Sequence, residues 1–303
     1  MRLSSEPNRT LLVVGYGSLL SGYGMLAERR GGGSRLVARD AFPVTLANAR
    51  RGLAKPSSHG RYLAMDLEPV RPDEPIVAST SRDDAAGRIG ALGLVFDREW
   101  AALISRREEY DPDKFLELVA FADRAGKPLG EFLLEIAERT KFNLLAYRRA
   151  LREMLDYTSH GYIFHPVPLE DGRVAIAAIG SGYEGSGDPD VRSKRSEYGM
   201  DRVLKLGEAL KVRTLDLDHD GQIGYFVECI LGGMHGVGVG DLMEEFELQS
   251  ELCERLRPHL RRAVPGERER FMKATSLNPA GYTEAFGGEP HPSVASLLRF
   301  VDE

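Results

Sequence analysis

Apolar positions first appear as an unbroken run, Leu11-Leu12-Val13-Val14, closed by Gly15, and this pattern predicts a buried strand over residues 11–16. A short helix is expected over residues 22–30. From Leu36 to Leu67 β-favouring and polar stretches alternate, with turn signals at Asn48–Gly52 and Pro56–Gly60. Residues 70–88, rich in Pro, Ser and Asp, predict a mobile surface loop. Ile89–Phe96 predicts a strand, with Asp97 as N-cap of a helix running through Arg107, and Phe115–Phe121 predicts a further strand.

The period then changes. Leu129, Leu133 and Ile136 share one helical face, as do Leu144, Tyr147, Leu151 and Met154, so two helices are expected, broken near Thr140–Asn143. Strand character returns in Tyr162–Pro168 and Arg173–Gly180, joined by a turn at Glu170-Asp171-Gly172. His165-Pro166 marks the first of these as an edge strand, because proline has no N–H to donate to a ladder. Residues 182–199 read as a polar loop, Tyr225–Leu231 as an apolar strand, Asp241–Arg262 as amphipathic helix, and Glu267–Ala274 as a short helix. No repeat is visible, and the pattern is mixed α and β with hairpins, not the strict βαβ alternation of a doubly wound sheet.

Composition narrows the function classes. With 303 residues, 42% of them hydrophobic, the chain can bury the core of one large domain or two small ones. A net charge of −6 argues against nucleic acid as a partner. Two cysteines, Cys229 and Cys253, both among apolar residues, read as buried reduced thiols. No apolar run approaches the roughly 18 residues that span a bilayer, and Met1–Thr10 lacks a leader's apolar region. A soluble cytoplasmic protein with no membrane partner is therefore expected.

The stretch Gly15-Tyr16-Gly17-Ser18-Leu19-Leu20 is the first candidate for chemistry. As a dinucleotide fingerprint it fails at Leu20, where the third glycine belongs. As a nucleophile elbow on Ser18 it fails at Tyr16 and Leu20, which should both be glycine. A backbone nest holding a carboxylate on successive N–H groups is the third reading, and an ordinary tight strand exit is the fourth. Local chemistry leaves these last two open. Asp216, Asp218 and Asp220 begin like a calcium loop, but Val227 stands where the bidentate glutamate belongs. The histidines show no metal-ligand spacing.

Tyr16-Gly17-Ser18-Leu19-Leu20 resembles the Y-G-S-L or Y-G-S-N signature of the γ-glutamylcyclotransferase family, including its AIG2-like and ChaC-type branches. Ala91–Phe96 is similar to that family's central strand, Ile104-Ser105-Arg106-Arg107-Glu108-Glu109-Tyr110 to its L-D-x-x-E-G-Y segment, and Tyr225–Gly233 to its closing strand. The resemblance covers about residues 10–122 and 160–250. It implies an α+β fold: a γ-glutamylcyclotransferase-like mixed β-barrel with flanking helices, a helical insertion at about 124–158, and a C-terminal helical extension. The implied domain runs over residues 10–250, with the extension at 251–303.

Carried onto this chain, the resemblance assigns glutamyl binding to Tyr16, Gly17, Ser18, Leu19, Leu20 and Tyr225, and catalysis to Glu108. Glu109 replaces the usual glycine beside it, and Phe115 stands where relatives carry a tyrosine. The implied substrate is a small γ-glutamyl amine, amino acid or peptide, cyclised to 5-oxoproline without metal or organic cofactor. A γ-glutamyl amide hydrolase or acyltransferase, and a non-catalytic small-molecule-binding protein, are the alternatives on the same fold.

Overall fold

The computed structural model describes residues 8–17, 19, 40–56, 63–71, 73–80, 89–98, 101, 112–155, 163–179 and 257–262. Its strands are β1 (Thr10–Gly15), β2 (Asp40–Ala47), β3 (Ala49–Pro56), β4 (Leu63–Pro69), β5 (Val77–Ser79), β6 (Ile89–Asp97), β7 (Ile163–Pro168) and β8 (Val174–Ile179). Its helices are α1 (Pro112–Arg124), α2 (Leu129–Arg139) and α3 (Leu144–Leu155). A helical turn over 257–262 buries Leu260. Among the described residues no helix is long and apolar enough to cross a membrane.

Six strands form one sheet in the order β5-β2-β6-β1-β8-β7, and β3 pairs with β4 separately. The apolar run predicted as a buried strand is β1, in the interior of the sheet. It runs antiparallel to β6 and parallel to β8, so the sheet is mixed and the class α+β. β7 lies at the edge, where its two prolines cost fewest ladder bonds, as His165-Pro166 predicted.

The sheet curls into a half-barrel. On its concave face the ring of Phe42 in β2 lies on Gly93 of β6, where a Cβ would stand 2.5 Å from the ring. The Arg173 guanidinium, just before β8, sits 5.0 Å over the same ring. Two strands separate β2 from β8, so only a curled sheet brings these side chains together. The two edges meet at one seam: Ala78 of β5 bridges Leu169, and Glu170 N donates to Ala78 O at 3.1 Å. The β3–β4 hairpin packs against β6 and β8.

The helices lie against the β7–β8 hairpin. Gly130 lets α2 sit flush on the strands, since a Cβ there would stand 2.2 Å from Val174 O. Phe115 of α1 packs on Phe164 with ring centroids 4.9 Å apart, and Tyr147 Oη of α3 donates to Phe164 O at 2.7 Å.

Two expectations are corrected. Phe115–Phe121 is not a strand but lies inside α1. The run is apolar at every position but Glu117, as a buried strand can be, but Phe115, Leu118, Val119 and Ala122 are the buried set, at helical spacing, with Asp113 in the first turn and Arg124 in the last. Phe115 is thus a core residue between helix and sheet. Residues 70–88 are not loop throughout: Val77–Ser79 forms β5 against β2, with Ile76, Ala78 and Ser79 buried. The preceding turn is held by Asn48, whose Nδ2 donates to the carbonyls of Arg71, Glu74 and Pro75 at 3.0–3.2 Å. Asn48 adopts φ 54, which asparagine tolerates, so the turn expected over Asn48–Gly52 is made at one residue and β3 starts at Ala49.

The two helices predicted from Leu129 and Leu144 are present, and their break carries Lys141 and Phe142 at positive φ. The β7–β8 turn is also as predicted, with Gly172 at φ 88. Residues 98 and 101 are helical after Asp97, and 257–262 is helical within the predicted Asp241–Arg262 stretch. The rest of those two helices lies outside the described residues, as do the predicted helices at 22–30 and Glu267–Ala274, the Tyr225–Leu231 strand, the 182–199 loop and Asp216–Asp220.

Candidate functional site

The candidate site begins where β1 ends. Chain direction places the carboxyl ends of β1 and β8 side by side, because these neighbours are parallel. The segments that leave them start from the same rim of the half-barrel, a placement that in open α/β sheets commonly forms ligand crevices.

At that rim the chain folds back sharply. A methyl group on Gly15 would stand 2.6 Å from Leu19 Cβ and 2.9 Å from Leu19 O. Glycine is therefore required at 15 because Leu19 occupies the space over it, not because the strand needs a flexible exit. Gly17 and Leu19 are buried, as is Tyr16. Tyr16 Oη donates to Ala178 O of β8, so the phenol is a strut from the turn to the neighbouring strand.

Of the residues assigned from the sequence, Tyr16, Gly17 and Leu19 fall in this turn. Ser18, Leu20, Glu108, Glu109 and Tyr225 lie outside the described residues. Compared with protein families, curated proteins and solved structures, the chain matches none. The site therefore stands on its own geometry.

Among the described residues, His165, Asp66 and Ser79 are buried polar groups on strands. His165 is 4% exposed; its Nδ1 donates to Pro166 O at 2.9 Å and its ring stands edge-on to Tyr147. Burial pushes its pKa down to about 4, against the opposing effect of the carbonyl bond. It is a neutral core histidine. Asp66, in β4, is buried and its Oδ1 accepts from Leu67 N at 2.8 Å. Ser79 is buried at the seam, and its Oγ donates to the carboxylate of Glu170.

Opposite Ser79 in the ladder is Thr45, whose Oγ1 is shut from solvent with no hydrogen-bond partner among the described residues. No local motif signals Thr45, Ser79 and Glu170, because strand pairing and the seam bring them together from three distant segments. Among the described residues no group of three metal-ligating side chains occurs.

Proposed function

We propose that this chain is a γ-glutamylcyclotransferase-like enzyme that converts a γ-glutamyl amine, amino acid or peptide to 5-oxoproline and the free amine. The observation that carries the reading is the closed turn from Gly15 to Leu19 at the end of β1, beside the end of parallel β8. It supports a cradle reading of the Y-G-S-L-like signature over a plain strand exit, which would not need Leu19 over Gly15.

In this reaction the substrate's α-nitrogen attacks its own γ-carbonyl carbon. A C–N bond forms within the glutamyl group, the amide C–N bond breaks, and a proton moves from the attacking nitrogen to the departing amine. Both reactants belong to one molecule, so the protein's main task is to hold it folded for attack. Neutral N–H donors of a turn suit the α-carboxylate, and a single carboxylate can take the proton and return it.

Glu108 is the proposed carboxylate, and chain length is compatible with that role. Gly15 pairs with Leu92 and Thr10 with Asp97, so β6 carries the chain about 17 Å from the rim before Arg98. A helix over 98–108, as the sequence predicts to Arg107, would span about 16 Å and suffices for the return.

The test is incubation of the full chain with a panel of γ-glutamyl amines, followed by assay for 5-oxoproline. Glu108→Gln is expected to abolish turnover with the fold intact. Turnover surviving in that variant moves the role to Glu109 or discards the mechanism. Glutamate in place of 5-oxoproline identifies a hydrolase, and binding without turnover a binding protein.

A further inference from the structure

Phe164 and Ala178 stand directly opposite each other in the β7–β8 ladder, and the carbonyl of each accepts from a tyrosine outside the hairpin. Tyr16 donates to Ala178 O from the turn after β1, and Tyr147 donates to Phe164 O from α3 at 2.7 Å. β8 lies between β1 and β7, which leaves β7 at the outer edge. Opposed residues of an antiparallel ladder that exchange no bonds with each other direct their carbonyls outward, one to each flank. One donor from the β1 turn and one from the helix layer match that arrangement.

All four residues are buried. A buried carbonyl that loses a donor costs more than the bond contributes, so each phenol holds the backbone it bonds in place. β7 and β8 are joined over six register pairs, from Ile163↔Ile179 to Pro168↔Val174, and shift as one piece. The helix layer meets that piece through Gly130 of α2 against Val174 O, Phe115 of α1 on Phe164, and Tyr147 of α3. Of these three contacts, Tyr147 bonds the backbone of the residue opposite Ala178.

Resting on the cyclotransferase reading, we propose that Tyr147 is a positioning residue for the Gly15–Leu19 turn. Tyr147 fixes Phe164, the Phe164–Ala178 pair fixes β8, and Ala178 O fixes the Tyr16 phenol. Buried against β7, Tyr147 acts through these bonds and not on substrate. The helical stretch at 124–158 thereby gains a part in the site, as a brace that reaches the turn through the sheet. Attack within one molecule depends on geometry to within an ångström, so slack in the brace lowers kcat more than it raises KM.

The test is a double-mutant cycle in the full chain, with Tyr16→Phe, Tyr147→Phe and both, using the γ-glutamyl amine of the panel that turns over fastest. Each change keeps the ring, and urea unfolding of every variant verifies the fold. Tyr147→Phe is expected to lower kcat for 5-oxoproline release about fivefold, the scale of one neutral hydrogen bond, with KM unchanged to within about twofold. In the Tyr16→Phe background the same change is expected to cost less than about twofold, because the bond that carries it to the turn is gone. Hydrogen exchange gives a readout independent of turnover: Tyr147→Phe should speed exchange of the Tyr16 and Gly17 amides relative to Val13 in β1. Unchanged kcat in Tyr147→Phe, losses that simply multiply in the double variant, or Tyr16 and Gly17 amides that keep pace with Val13 overturn this inference alone. Wild-type chain that releases no 5-oxoproline from any γ-glutamyl amine overturns the cyclotransferase reading, and the positioning role with it.

Discussion

Asn8 caps a helix from which it is separated by 121 positions: its Oδ1 accepts from Leu129 N at 2.6 Å, at the first residue of α2. Pro128, the N-cap residue in sequence, makes no side-chain cap. The Asn8 Nδ2 group donates to Asp123 Oδ1 at 2.8 Å and Lys127 O at 2.9 Å, so the fully buried amide is satisfied on both ends. Asp123 also takes a bond from Arg98 at 2.7 Å, which ties the entry to β1, the exit of β6 and the α1–α2 connection into one cluster.

Asn8→Ala removes the cap and leaves Leu129 N and the Asp123 carboxylate short of partners, at an expected cost of about 2–4 kcal/mol in urea unfolding. Asn8→Asp keeps the cap but sets a second carboxylate against Asp123. It is expected to be at least as damaging at pH 7 and to recover part of its stability as pH falls.

His165 predicts the acid side of the stability profile. Its folded pKa, about 4, lies below its ordinary 6.5, so the unfolded chain binds the extra proton between these values. Its contribution is fully present above about pH 6.5 and declines as pH falls toward 4, by about 3 kcal/mol over that window. Denaturant unfolding between pH 4 and 7 should show this slope, reduced by about one proton in His165→Leu. An unchanged slope in that variant would show that other groups carry it.

Gly130→Ala is a helix-favouring change that should nevertheless destabilise. Alanine gains up to about 1 kcal/mol inside a helix, but the added methyl meets Val174 O at a distance no side chain accepts. The net expectation is a loss of about 1–3 kcal/mol by thermal or urea unfolding, from α2 lifting off the β7–β8 hairpin.

Gly15→Ala tests the turn itself. The methyl displaces Leu19 and with it the rest of the fold-back, so 5-oxoproline formation is expected to drop about a hundredfold, the effect of misplacing a reacting group by an ångström. Tyr16→Phe removes the strut to Ala178, at about 1 kcal/mol, and should lower activity less. Equal, small effects of both would remove the turn from the mechanism.

Much of the local structure was legible because period and punctuation agreed. Leu11–Gly15, Leu129–Ile136 and the Glu170–Gly172 turn each carry one pattern with no competitor. α1 was not legible because Phe115–Phe121 is apolar at every position but Glu117, a run that periodicity alone does not assign to strand or helix, and only packing against Phe164 decides. β5 escaped because its surroundings are turn-like, while its pairing with β2 is a property of the sheet. The Gly15 signal was legible as a glycine but not as a contact with Leu19. Asn8, Thr45 and Ser79 carried no sequence signal, since their partners are set by strand order and the seam.

The position of β1 also bears on synthesis. Tyr16 bonds to Ala178 across 162 positions, and β8 is the parallel neighbour of the chain's first described strand. A ribosome delivers β1 before β8, so one flank of β1 stays unpaired until Ala178, 162 positions beyond Tyr16, has been made. Nascent chains should hold that apolar strand open the longest, and there a chaperone or a wrong partner has most time to bind.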